Sequence, residues 1–122
     1  MRDSPKNFYK KLLGGAGERK AVKYLKNKGY KILRTNFKIK AGEIDVIAKD
    51  GETVVFIEVK TRSGDAFGRP SDAVDRLKRA KYIKVAQAFL IKNYGDIDVL
   101  SRFDVIEIQN NDINHIINAF FA

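Results

Sequence analysis

Apolar and polar positions alternate most clearly between Gly42 and Arg62. Ile44, Val46 and Ala48 are spaced by Glu43, Asp45 and Ile47, while Val55, Ile57 and Val59 are spaced by Phe56, Glu58 and Lys60. Two such runs of β-branched and aromatic residues around Asp50-Gly51 predict a β-hairpin closed by a two-residue type I′ turn. With Asp50 and Gly51 as the loop, Lys49 faces Glu52, and pairing continues as 47 with 54, 45 with 56 and 43 with 58. Paired residues share a face and successive residues alternate. One face is then wholly apolar, made of Ile44, Val46, Ala48, Val55, Ile57 and Val59. The other is apolar near the turn but carries Glu43, Asp45, Glu58 and Lys60 at its far end. Charged groups gathered at one end of an otherwise apolar strand pair point to a site.

Helical periodicity flanks the hairpin. Ala21, Val22 and Leu25 form a stripe at i, i+1 and i+4 that predicts a helix over 17–28, ended by Gly29. Residues 1–16 read as a basic arm or short helix, loose over 1–13. Glu18 falls on the apolar stripe, and the dipole of a helix N-terminus also favours a carboxylate there. Residues 30–39 read as extended. Ser63–Pro70 holds two glycines and a proline, a turn-rich loop leaving the strand of Glu58 and Lys60. Ser71 or Asp72 caps a helix over about 72–94 that Gly95 stops. Its inward stripe is Val74, Tyr82, Val85, Ala86, Phe89 and Leu90. Lys78 sits on that stripe, placed to reach the hairpin or to snorkel to water. Residues 102–109 alternate as a strand, and 113–121 pack as a short strand or helical turn. His115, in this apolar tail, reads as packing rather than catalysis. The order helix, strand, hairpin, helix, strand predicts one α/β domain over 1–122, a mixed central sheet flanked by helices.

Composition narrows the chemistry. With 44% hydrophobic residues the chain folds, and 122 residues suit one core. It has no cysteine, which removes disulfides and thiolate chemistry and fits a reducing cytoplasm. No apolar run approaches the ~20 residues of a membrane span, so a membrane partner is not expected. Residues 1–40 hold 13 Lys and Arg against two acids, while 41–122 hold 11 against 13. A basic flank beside a carboxylate cluster suits a polyanion whose phosphates the flank attracts.

Close carboxylates repel unless something compensates them. A lysine and a hard divalent cation are the candidates; Mg²⁺ takes one or two carboxylates alongside waters and phosphate oxygens. Held there, such an ion polarises a phosphodiester and lowers the pKa of a bound water. Lys60, two residues past Glu58, is placed to orient that water or neutralise charge in the transition state, and Glu18 is placed to complete the shell. No phosphate loop is present: Gly14-Gly15-Ala16-Gly17 lacks the Lys-Ser/Thr that one requires.

An inward helical Glu, an Asp on a strand after a Gly, a hairpin and then Glu-Val-Lys resemble the PD-(D/E)xK nuclease superfamily. The chain is more specifically similar to the YraN-like family (UPF0102), predicted endonucleases that resemble archaeal Holliday junction resolvases. The likeness covers about residues 14–121. It runs through Gly17-Glu18, Gly42-Glu43-Ile44-Asp45, Val55-Phe56-Ile57-Glu58-Val59-Lys60-Thr61-Arg62, Phe67-Gly68-Arg69-Pro70, Lys78 and Arg102-Phe103-Asp104-Val105. Glu43-Ile44-Asp45 stands where the superfamily name would have Pro-Asp, which leaves the acidic position filled. The resemblance implies a restriction-endonuclease-like fold with Glu18, Asp45, Glu58 and Lys60 as catalytic residues. Asp45, Glu58 and Glu18 would hold Mg²⁺ or Mn²⁺, with Glu43, Arg62 and Lys78 in support or on the substrate. It also implies DNA as the partner, branched or recombining DNA included, and a homodimer. The alternative class is a non-catalytic nucleic-acid-binding protein on a nuclease fold. A degenerate binder would usually have lost an acidic position, and here all four catalytic positions are filled. An RNA-directed module stays open, because a basic flank does not separate DNA from RNA.

Overall fold

The computed structural model describes residues 5–62 and 76–120, the side chains of 5–14 excepted. Helix α1 (Pro5–Asn27) is followed by strands β1 (Lys31–Ile39), β2 (Gly42–Asp50) and β3 (Thr53–Arg62). Helix α2 (Arg76–Tyr94) leads to β4 (Ser101–Gln109) and β5 (Asp112–Phe120). The strands form one sheet in the order β1-β2-β3-β4-β5, antiparallel throughout except for the β3–β4 pair. A parallel neighbour requires a crossover, and α2 lies within it. The architecture is α/β, a five-stranded mixed sheet with two helices among the described residues, compatible with a restriction-endonuclease-like fold.

Each helix covers one face. On the α1 side Ala21 and Leu25 pack with Val46, Ala48, Val55, Ile57, Ile106 and Ile108. On the α2 side Val85, Ala86, Phe89 and Leu90 pack with Phe37, Ile44, Ile47, Val54, Phe56 and Phe103. Buried on both faces, β3 needs apolar side chains in both directions, which is why Val54–Ile57 read as an unbroken run. Both helices stop at a left-handed glycine. Gly29 has φ +92°, and the bonds from Gly29 N–H to Lys26 O and from Tyr30 N–H to Leu25 O form a Schellman cap.

Two open alternatives resolve and two expectations change. Of the basic arm or short helix read before residue 17, the structure shows helix, α1 starting at Pro5. Of the short strand or helical turn read at the end, it shows a strand, β5, pairing with β4. The hairpin loop is Gly51-Glu52, because Asp50 pairs with Thr53 and accepts an ion pair from Arg102 Nη1 at 3.1 Å. Positive φ falls on Gly51 (+59°) alone in that loop, the pattern of a type II′ turn. The register therefore moves by two, giving Val46↔Ile57 and Ala48↔Val55, and each residue from Val46 to Asp50 keeps its expected face. Ile44 does not: it joins the α2-side core while Val46 faces α1, so alternation breaks at Asp45. Across β1 from this break stands Asn36, with φ +53°. The Ser63–Pro70 loop, the Ser71/Asp72 cap and Val74 lie outside the described residues.

Candidate functional site

The break at Asp45 is what builds the site. The β2–β3 ladder ends at Val46↔Ile57, and the next step brings Asp45 beside Glu58. Asp45 Oδ2 accepts a hydrogen bond from Val59 N–H at 2.9 Å, fixing the carboxylate on a strand amide. Glu58, only 7% exposed, follows Phe56 on the regular alternation of β3 and faces α2. From α2, Lys78 Nζ donates to Glu58 Oε1 at 2.5 Å. The other oxygen, Glu58 Oε2, is buried and has no hydrogen-bond partner among the described residues. Glu43 is exposed and lines the same cleft. The cleft holds about 580 Å³ between the end of the hairpin and α2, lined also by Gly42, Leu77, Lys81 and Tyr82.

Glu18 reaches this cluster from α1, because α1 approaches β3 closely at Gly17. A Cβ on Gly17 would run into Thr61 Oγ1. Only a residue without one lets the helix sit there. Burial pushes the Glu18 carboxyl above its ordinary value; a hydrogen bond from Asn36 opposes this and the charge of Glu43 adds to it. Asp45 is pushed up to about 7. Burial is the main cause, the Val59 N–H bond opposes it, and the charges of Glu18, Glu58 and Glu43 add to it. Burial, then the charge of Glu58 and a hydrogen bond to the Glu58 carboxylate, also hold the Tyr82 phenol well above its usual range, so it stays protonated.

Of the residues singled out in the sequence, Glu18, Glu43, Asp45 and Glu58 come together, and Lys78 reaches them rather than snorkelling away. Lys60 is half-buried on β3 two residues past Glu58 and makes no hydrogen bond or ion pair among the described residues. Arg62 is engaged elsewhere, its Nε 2.6 Å from Oε2 of the fully buried Glu107. Tyr82 and Asn36 belong to the site but were assigned to core and strand. Tyr82 was legible as the residue one helical turn beyond Lys78; Asn36 was visible only as an asparagine, a residue that tolerates positive φ.

Could this cluster take a cation? Among the described residues no three His, Asp or Glu side chains converge at metal-ligand spacing. Lys78 occupies one Glu58 oxygen, and Glu18 and Glu43 stand back at electrostatic range. Two carboxylates with an unpartnered buried oxygen nevertheless suit an ion that takes one or two carboxylates and completes its shell with water and phosphate. Leaving Glu58 Oε2 unsatisfied costs about 1–3 kcal/mol, which an ion or an ordered donor would recover. The donor set is all oxygen, as a hard cation requires.

His115 proves to be more than packing. Its Nε2 lies 2.8 Å from Asp104 Oδ2, and its Nδ1 is 3.1 Å from the Tyr24 hydroxyl. Arg102 Nε donates to Asp104 at 3.1 Å, and Asn118 N–H donates to its Oδ1 at 2.9 Å. This network lies on the α1 side of the sheet, the face opposite the Glu58–Lys78 pair.

A family model described as "Uncharacterised protein family UPF0102" matches residues 17–108. The chain is 50% identical over 115 residues to a UPF0102 protein of Alkaliphilus oremlandii, covering 90% of this chain and 98% of that one. A UPF0102 protein of Caldanaerobacter subterraneus subsp. tengcongensis is 46% identical over 123 residues, covering 94% and 99%. One from Clostridioides difficile is 49% identical over 109 residues, covering 88% and 95%.

Proposed function

The chain belongs to the UPF0102 family, and we propose that it is a metal-dependent endonuclease hydrolysing phosphodiester bonds in DNA, branched DNA included. The observation that carries this reading is Glu58 Oε2, a buried carboxylate oxygen with no hydrogen-bond partner among the described residues, beside an Asp45 that burial and neighbouring carboxylates push up to about 7. A purely structural cluster would satisfy both groups. Asp45 and Glu58 would hold Mg²⁺ or Mn²⁺, with Glu18 behind them. A cation held there supplies Lewis-acid polarisation of the phosphate and a water of lowered pKa. The remaining roles belong to the chain. Val59 N–H fixes the Asp45 rotamer, and Lys78 balances part of the Glu58 charge and aims that carboxylate. Lys60, with no competing partner among the described residues, carries its ammonium to the phosphate, where it neutralises developing charge. No described helix is long and apolar enough to cross a membrane. The proposed setting is the cytoplasm, with DNA as the partner and two copies of the chain acting on opposing strands.

The test is incubation of labelled single-stranded, duplex, flapped and four-way-junction DNA with Mg²⁺, Mn²⁺ or EDTA. Wild type, Lys60→Ala and Glu58→Gln are compared, with gel-shift binding recorded for each. Metal-dependent cutting that both variants lose while still binding is the expected result. Binding without cutting in any metal would replace the nuclease by a nucleic-acid-binding protein on the same fold.

A further inference from the structure

A second cleft, of about 530 Å³, lies on the other flank of α1, between that helix and the start of β5. Lys20, Lys23, Tyr24 and Asn27 follow one another at i, i+3, i+4 and i+7, so one stripe of the helix forms one wall. Lys28, Asn111 and Ile113 complete it, and no acidic side chain lines it among the described residues. Three exposed lysines around one concavity repel one another, and the missing counter-charge is an anion. Two side-chain amides add neutral hydrogen-bond donors.

The aromatic wall is held firmly. The Tyr24 hydroxyl is tied to His115, which is tied to the buried Asp104, and His115 packs edge-on against the Tyr24 ring at 5.5 Å. Lys28 Nζ lies 5.8 Å from the centre of that ring. Across the cleft the β4–β5 turn is pinned by Asn110, with φ +57°, whose carbonyl accepts from Lys20 Nζ at 3.4 Å. A rigid aromatic surface edged by lysines and amides is what a phosphodiester strand needs, phosphates on the cations and sugar or base against the ring. A lone small anion would have no use for the ring or the length of the stripe.

We infer that this lysine cleft binds the backbone of a nucleic-acid strand, as a contact separate from the carboxylate cluster. The inference rests on the proposed function for the identity of the polyanion but not on catalysis. Substrate would then be gripped on one flank of α1 while Glu18, on the other flank, serves the site.

The experiment measures binding of a labelled DNA duplex in EDTA, as a function of salt, to wild type, the Lys23→Gln/Lys28→Gln double variant and a Lys92→Gln control. The expected result is a roughly tenfold or greater loss of affinity in the lysine variant. The slope of log affinity against log salt should also become shallower by about 1.8 for two lost contacts. Lys92→Gln, which removes an exposed lysine of α2 outside both clefts, should retain a clear excess of affinity over the lysine-cleft variant. In a second arm, amide NMR shifts of Tyr24 and Asn111 are followed with a short oligonucleotide and with pyrophosphate. Saturable shifts with the oligonucleotide at lower concentration than with pyrophosphate support the strand contact. Unchanged affinity and slope in the lysine variant would overturn it, as would shifts produced by pyrophosphate alone. Lysine-dependent binding by a chain that never cuts would leave this contact standing and remove the nuclease reading instead.

Discussion

Asp104 shows how a residue of a family-like motif can be tied into the fold. It stands in the Arg102-Phe103-Asp104-Val105 motif, and its carboxylate is 0% exposed. Burial raises its pKa, but hydrogen bonds from His115, Arg102 and Asn118 N–H outweigh that and hold it below the ordinary carboxylate value. A depressed carboxylate contributes stability that is complete above its unfolded pKa and is lost as pH falls through the folded value. Asp104→Asn should therefore cost about 3 kcal/mol near pH 7, measured by urea denaturation, because it leaves Arg102 and His115 without their shared partner. Repeating the titration below pH 4 should narrow the gap between variant and wild type. A gap that is constant with pH would mean the carboxylate charge is irrelevant. The sequence did not reveal this role, because Asp104 and His115 meet only through the β4–β5 pairing and Tyr24 through the packing of α1.

At the level of elements, the active-site candidate depends on how closely α1 can approach β3. Gly17 permits that contact and Thr61 defines it. Gly17→Ala should destabilise the chain by about 1–3 kcal/mol through overpacking against a stiff β-branched side chain. Adding Thr61→Ala should recover most of the loss, read as melting temperatures of the single and double variants; no recovery would mean that the helix is limited by something other than this contact. The hairpin and the faces of most of its residues were legible from alternation alone, as were the inward stripe of α2 and both glycine stops. Its register was not, because Asp-Gly and Gly-Glu are both chemically acceptable loops; in the folded chain Asp50 pairs with Thr53 and meets Arg102 from 52 residues away. The flip of Ile44 was equally hidden, since nothing local distinguishes a strand that switches faces at Asp45 from one that does not. Glu58 was found because parity survives a two-residue shift.

Across the whole molecule, charge is divided by α1. Its Glu18 flank looks toward Asp45, Glu58 and Glu43, and its Lys20 flank toward the aromatic cleft. The excess of basic residues over 1–40 pointed to a polyanion, but only the fold separates the surface that would hold it from the surface that would cut it. The central claim is that the Asp45–Glu58 pair exists for chemistry, at a cost to stability. It is tested most directly by single-turnover cutting of DNA by Asp45→Asn at pH 8, with the melting temperature of the same samples recorded in EDTA. Asparagine removes a charge that burial and three neighbouring carboxylates disfavour, while keeping an oxygen for Val59 N–H. Cutting should be slower by roughly 10²-fold or more, with a melting temperature at or above that of wild type. Cutting at the wild-type rate, or lost cutting together with a lowered melting temperature, would contradict the central claim and make Asp45 a structural group.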